Sequence, residues 1–172
     1  MELVEAIEGR RSVRAFKNEE LPEGFIEEAV RVGNLAPSAG NLQARDFVVV
    51  RDAGTKKRLA EAALGQDFIA EAPVVLVVCA NARRIAHYGE RGRELYMLQD
   101  TAAAIENILL YVHSKGLGSC WVGAFNEAEV SEALGLPNWV RPVAILPIGV
   151  PAERPAKRRR LALSEILHHE RW

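Results

Sequence analysis

The sequence is poor in most of the features that assign a protein to a class at sight. Two cysteines, Cys79 and Cys120, are too few for a disulfide scaffold, and a reducing cytoplasmic compartment suits them best. The longest apolar run is APVVLVVCA (72–80), far short of the ~20 residues that cross a bilayer. The opening MELVEAIEGRR places acidic before basic side chains and has no apolar h-region, so no signal peptide is expected. Neither sign of charge dominates: 22 basic residues face 23 acidic ones, for a formal net charge of −1. That balance argues against a protein that coats nucleic acid or an anionic membrane, and any anion it binds should be small. No GxGxxG follows a run that reads as a strand, so the phosphate fingerprint of a dinucleotide fold is missing. Internal repeats, linkers and low-complexity tracts are absent too. With 49% hydrophobic residues, a disordered chain is excluded, and residues 1–172 read as one domain.

What is present is a regular alternation of periodicities. Residues 2–9 read as a short helix with Leu3, Ala6 and Ile7 on its inner side. A second helix starts near Pro22, turns Phe25, Ile26, Ala29 and Val30 inward, and ends by about Leu35 because Pro37 cannot continue it. DFVVVR (46–51) reads as a buried strand, 54–64 as a helix with Leu59, Ala62 and Ala63 facing in, and 72–80 as a central strand apolar on both faces. From Glu94 to Lys115 apolar residues recur every three or four positions, through Leu95, Leu98, Ala102, Ile105, Leu109 and Val112, giving a long helix stopped at Gly116. It also carries Ala102, Ala103 and Ala104 on another side, as a helix buried on two sides would. SCWVGAF (119–125) is a short strand or extended loop, and Asn126 and Glu129 have capping-box spacing ahead of a helix to Leu134. VAILPIGV (143–150) is the last strand, where Pro147 suggests an edge or a bulge. This order gives four strands interrupted by helices and does not fix whether the sheet is parallel.

Three polar features stand out from that frame. GRRSVRAF (9–16) surrounds Ser12 with Arg10, Arg11 and Arg14, and 158–160 reads RRR, almost a chain length away. Each cluster has an ordinary explanation: cations suit a helix C-terminus, and a charged tail is solvated. They are also what a phosphate needs, namely guanidinium forks and a hydroxyl. In an extended segment, alternation would put Arg10, Ser12 and Arg14 on one side and Arg11 with Val13 on the other. LAPSAGNLQ (35–43) is built of turn formers, yet small residues also let a flat ring approach backbone, and Asn41 offers a donor and an acceptor.

Taken together and in order, GRRSVRAF, APSAGNLQ, GLGSCWVGAF and PIGVPAERPAKRRRLALSEIL resemble the flavin-dependent nitroreductase family over nearly the whole chain. The resemblance implies an α+β fold with a central four- to five-stranded, mostly antiparallel sheet flanked by helices. It implies a homodimer with a site at each end of the shared interface, residues 151–172 forming a C-terminal extension that embraces the partner. FMN is the implied cofactor and NADH or NADPH the reductant. By position, Arg10, Arg11, Ser12 and Arg14 match the segment that holds the FMN phosphate and pyrimidine edge, and Arg158 and Arg160 match a basic pair reaching the same phosphate. Pro37, Ser38, Ala39 and Asn41 match the loop that the other subunit lays against the isoalloxazine. Val122, Gly123 and Ala124 match a strand end facing the ring, and Gln66 a polar residue at the pyrimidine edge. The chain departs from the family pattern at Ala44-Arg45, where many members read Pro-Trp. Gly123-Ala124 stands where some place Glu-Gly, and Ala162 stands for a proline.

The implied activity is transfer of hydride from NAD(P)H, by a ping-pong route, to a small-molecule acceptor such as a nitroaromatic, a quinone or another flavin. No side chain is expected to act as an acid or base, and no metal is expected. Arg14 or Arg10 would supply the positive charge facing a reduced flavin. A non-catalytic flavin-binding module, a reductive dehalogenase on the same scaffold and, resting on RRR alone, an RNA-binding protein are the competing readings. Cys120 reads as a small buried residue rather than a redox thiol, and His168-His169 as solvated tail. His87-Tyr88 reads as a connection or as a loop over the active site, and Trp139 as packing on the final strand.

Overall fold

The computed structural model describes residues 1–172. In chain order the elements are α1 (Leu3–Gly9), α2 (Phe25–Asn34), β1 (Arg45–Val50), α3 (Ala53–Ala62), α4 (Phe68–Glu71), β2 (Val74–Asn81), the single turn α5 (Gly89–Arg91), α6 (Met97–Ser114), β3 (Gly118–Ser119), α7 (Glu127–Leu134), β4 (Val140–Gly149) and α8 (Leu163–Ile166). The strands form one sheet in the order β1-β2-β4-β3, and every neighbouring pair is antiparallel. Only an isolated bridge between Ser12 and Ser119 runs parallel. The expected α+β architecture with a mostly antiparallel sheet is what the chain adopts.

β2 explains the layering. All eight of its residues are buried, so successive side chains feed two cores on opposite faces of the sheet. Val74, Leu76 and Val78 join α2 and α6, whereas Val75, Val77 and Cys79 join α3, α4 and α7. Helices therefore cover both faces, as a strand apolar on both sides requires. The α7 start follows its sequence signal: the Asn126 side chain accepts from Ala128 N and Glu129 N and donates to Glu129 Oε1 at 3.0 Å.

Several expectations need correction. α2 begins at Phe25, not at Pro22, because Gly24 sits at φ 73° and breaks the helical path. β1 is an edge strand and only half-buried, with Val49 exposed. Leu3 and Ile7 do not face inward: they are 68% and 54% exposed, and α1 buries Ala6 alone. The long helix is entered through a π-helical turn, Gly92–Tyr96. Its buried stripe starts at Met97, Asp100, Thr101 and Ala104, while Leu95, Leu98 and Ala102 are half-buried. Asp100 and Thr101 lie inside because they bond to backbone, which apolar periodicity cannot signal. Trp139 stacks beneath Arg83, whose guanidinium carbon is 3.3 Å from the ring centre.

Pro147 lies in β4, an interior strand, and the bulge falls elsewhere, between Val78 and Cys79. Its effect is on the β3 side. Gly118↔Gly149, Ser119↔Ile148 and Val122↔Ile145 share one register, which would pair Cys120 with Pro147. Val122 and Ile145 exchange both backbone hydrogen bonds. Two residues along the pleat, Pro147 has no N–H to give, and the ladder is interrupted there.

The chain ends meet at this edge. Val13 N donates to Ser119 O, Lys17 N to Val150 O and Ala152 N to Ala15 O. Beyond Pro155 the tail is exposed through α8 to Trp172. No helix is long and apolar enough to cross a membrane.

The segment carrying Ser12 is pressed against a glycine. A β-carbon on Gly118 would stand 2.9 Å from Val13 Cβ, an atom that cannot move without its backbone. Gly118→Ala should therefore destabilise the fold by ~1–3 kcal/mol, seen as a melting point lower by about 2–4 °C per kcal/mol. An unchanged melting point would contradict this packing.

Candidate functional site: an arginine-lined cleft

The site is built where the lacing of the two ends leaves its side chains. α1 stops at Gly9, Arg10 turns extended (φ −58°, ψ 133°), and Val13 is buried as the anchor. From the other end, residues 155–160 leave the sheet edge after Ala152. Between them lies a cleft of about 560 Å³ whose cationic lining is Arg10, Arg11, Arg14, Lys157, Arg158 and Arg160, with Ser12 beside them and Glu8 its one acid. Arg159 does not line it. The two basic clusters, distant in sequence, face one space.

Local bonds set the availability of each group. Arg10 Nε stands 3.5 Å from Glu106 on α6. Arg11 Nη1 donates to Glu8 O at 2.6 Å and Arg10 O at 2.8 Å, so this guanidinium partly caps the end of α1 while still reaching the cleft. Alternation had placed Arg11 on the far side, and this backward fold of a long side chain is why it is not. The Arg14 backbone N–H is taken by the Glu153 carboxylate, whereas its side chain is exposed. The combined field is felt by His113, whose pKa is lowered first by burial and then by Arg10 and Arg11. Cys120 is buried beneath Ser12 and Arg14. Its thiol pKa is raised by burial, against the pull of Arg14 and a hydrogen bond with Ser12.

The other expected residues fall into two further groups. Gln66 Nε2 donates to Ala63 O at 2.8 Å and Ala124 O at 3.3 Å, which ties Gln66 to the 122–124 segment. Val122 is buried, while Gly123 and Ala124 are exposed. This group joins the cleft through Ser119 and Cys120, which touch Ser12. Pro37, Ser38, Ala39 and Asn41 are not brought to the cleft within one chain. Their loop contains a 3₁₀ turn, Ala39–Asn41, with Asn41 at φ 55° and Gln43 at φ 50°. A methyl on Gly40 would approach the Tyr88 hydroxyl to 2.5 Å, so Tyr88 lies directly against this loop.

Three participants were not singled out from the sequence. Lys157 sits in the same run as Arg158, and nothing in the run distinguishes it from its neighbours. Arg45 was noted only as a departure, yet it is 2% exposed and bonds across the polar loop. Asp100 is 4% exposed and takes the Ala39 N–H at 2.9 Å, while its Oδ2 has no partner. A carboxylate on an apolar helix face was the available signal.

Comparison with known proteins bears on the whole chain. Residues 7–66 and 60–150 match the sequence profile described as the nitroreductase family. A Thermus thermophilus protein named NADH dehydrogenase is 32% identical over 92% of this chain and 91% of its own length. A Bacillus subtilis protein named FMN reductase [NAD(P)H] is 31% identical over 99% of this chain and 74% of its own. The solved structure of nitroreductase A from Vibrio parahaemolyticus superposes with a TM-score of 0.92 at 27% identity, covering 100% of this chain and 77% of that one.

The thiols give a direct test of the packing around the site. Burial raises both cysteine pKa values, that of Cys79 to about 12. A raised thiol pKa stabilises the fold fully below the unfolded value of about 8.5, and that contribution is lost as pH rises toward 12. The native protein should not react with a thiol reagent at about pH 8, and both cysteines should react after unfolding. Denaturant midpoints should fall from about pH 8.5 upward, less steeply in Cys79→Ala; equal slopes would contradict the assignment.

Proposed function

This chain belongs to the nitroreductase family, and on that premise we propose that it is an FMN-dependent oxidoreductase. It takes hydride from NADH or NADPH and reduces a small-molecule acceptor by a ping-pong route. The observation that carries the reading is the convergence of Arg10, Ser12 and Arg14 with Arg158 and Arg160 on one cleft. A terminal phosphate carries about −1.5 to −2 charges at neutral pH, by analogy with a phosphorylated side chain, and guanidinium forks with a hydroxyl are its natural partners. The donor set therefore fits FMN, and the six cations would repel one another less with such an anion among them.

In this reading Arg10, Arg11, Ser12, Arg14, Arg158 and Arg160 hold the phosphate end and the pyrimidine edge. Gln66 and the 122–124 segment lie along the ring. Pro37, Ser38, Ala39 and Asn41 come from a second copy of the chain, because a single copy keeps them away from the cleft. When bound, FMN supplies the two-electron chemistry between reduced nicotinamide and acceptor. The protein contributes orientation and charge: Arg14 or Arg10 offsets negative charge on the reduced cofactor, and the loop and strand end exclude water from one ring face. No side chain need carry a proton for hydride transfer. The acceptor class spans nitroaromatics, quinones and flavins, and Gly123-Ala124 brings no carboxylate to it.

The homodimer is supported by apolar surface that one chain leaves bare. Leu3, Val4 and Ile7 on α1 and Leu161, Leu163, Ile166 and Leu167 on the tail are all more than half exposed, and Trp172 is wholly so. Residues 151–172 would wrap the partner and bury them. Residues 1–172 form a single flavin-binding domain, of which 151–172 is the embracing extension, and it works in the cytoplasm.

Purified protein should be yellow and should bleach on anaerobic addition of NADH or NADPH. Colourless protein that binds no added FMN would sink the reading, and colour that persists would leave a non-catalytic flavin-binding module. Arg14→Ala, Arg158→Ala and Arg160→Ala should each weaken FMN by about 10- to 100-fold, the loss of a charge-assisted contact worth ~1.5–3 kcal/mol, and Arg14→Ala should also slow its reduction. Arg159→Ala should leave FMN affinity unchanged. Titration of FMN fluorescence reads all four, and equal affinities throughout would remove the phosphate assignment.

A further inference from the structure

Arg45 occupies the position where the polar loop meets the first strand, and its surroundings are unusual for an arginine. It is 2% exposed, yet no carboxylate pairs with its guanidinium. Instead its five N–H donors go to five oxygens: Nε to Asn34 Oδ1 at 3.2 Å, Nη1 to Pro37 O at 3.3 Å and Asp100 O at 3.0 Å, and Nη2 to Asn34 O at 3.0 Å and Ala36 O at 2.6 Å. A guanidinium has five donors in a fixed plane, so every one is used. Three of the acceptors are backbone carbonyls of Asn34, Ala36 and Pro37, where α2 ends and the loop begins. The Asn34 carbonyl is one that a helix end otherwise leaves without a partner, and those of Ala36 and Pro37 belong to the loop that follows.

The loop that starts there needs such a support. Asn41 and Gln43 both have left-handed φ values, 55° and 50°, and non-glycine residues stay in that region only when their surroundings over-determine it. Besides the backbone bonds of its own turn, the loop is tied by Ala39 N to Asp100 Oδ1 at 2.9 Å, Gln43 N to Ser38 Oγ at 3.0 Å, Asn34 Nδ2 to Gln43 Oε1 at 3.1 Å and Arg84 Nη1 to Gln43 O at 3.2 Å. Arg45 bonds the carbonyl of the same Asp100 and the side chain of the same Asn34, so the ties through those two residues hang from it. Neither a lysine, with donors on one point, nor an apolar side chain of equal volume reproduces that planar fork.

We propose that Arg45 is a positioning residue whose buried guanidinium fixes the 34–43 loop in the shape that meets the flavin held by a second copy of the chain. The functional half of this rests on the flavin reading above. The positioning half stands on the hydrogen bonds alone.

The test is Arg45→Lys in the full-length protein, read by amide hydrogen exchange and by FMN titration. Exchange at the Ala39 and Gln43 amides should quicken about tenfold or more while the β2 amides keep their protection. The FMN dissociation constant should rise about tenfold, the size expected for charge-assisted bonds lost to a poorer donor. Unchanged exchange at both loop amides would overturn the positioning claim. Faster exchange with unchanged FMN affinity would overturn its link to the flavin. Wild-type protein that binds no FMN would bring down the flavin reading and that link together, leaving loop exchange to decide the rest. If Arg45→Lys does not fold, Asn34→Ala, which removes the Nε acceptor and the tie to Gln43 but keeps the arginine, must shift the same two readouts in the same direction, or the proposal falls.

Discussion

Three backbone hydrogen bonds lace residues 13–17 to the edge formed by β3 and the end of β4, and the candidate site depends on that lacing. No other backbone-to-backbone hydrogen bond joins residues 10–17 to residues 150–160, so the placing of one set of arginines beside the other rests on it. With it, Arg10 and Arg160 line the same space although 150 positions apart in the chain. The lacing is itself possible because Gly118 admits Val13, the one buried residue of the segment. Main-chain geometry thus gathers cations that would otherwise repel. Electrostatics then sets what the gathering is for: a compact anion with several oxygens.

A second constraint works at the opposite end of β1. There the protein buries a charged side chain among backbone carbonyls rather than among apolar groups, and fills every donor. A buried charge is costly unless its hydrogen bonds are complete. Asp100 shows the same node from the other side, with one oxygen committed to Ala39 N and the other without a partner. The core on either face of β2 is ordinary by comparison. It rests on alternation, and the residues that supply it are those that any apolar strand would supply.

This difference explains what was readable in the sequence. APVVLVVCA announced β2 and its two-sided burial, and Asn126-Glu129 announced the start of α7, because both signals are local. The antiparallel order was not readable from periodicity and came only from the resemblance of four motifs, since strand direction is a long-range property. Leu3 and Ile7 were assigned inward because an apolar stripe on a short helix usually faces its own core; the structure leaves them bare on a single chain. Arg45 and Asp100 escaped because their roles are defined by carbonyls, which a sequence does not display. Arg158 and Arg160 read as solvated tail by charge alone and as phosphate ligands only through the resemblance; the fold sets them, with Lys157, opposite Arg10 and Arg14.

Pro147 has a further consequence. The rung opposite Cys120 is missing, so β3 offers only two paired residues before the ladder fails. A strand that short and broken is a poor template for edge-to-edge growth with a neighbouring molecule. Val122 pairs again with Ile145 beyond the gap, and after it Gly123 and Ala124 leave the ladder, the Ala124 carbonyl accepting from Gln66 Nε2 instead. One imino acid thereby shortens the ladder at this rim of the sheet and makes it a poorer seed for polymerisation.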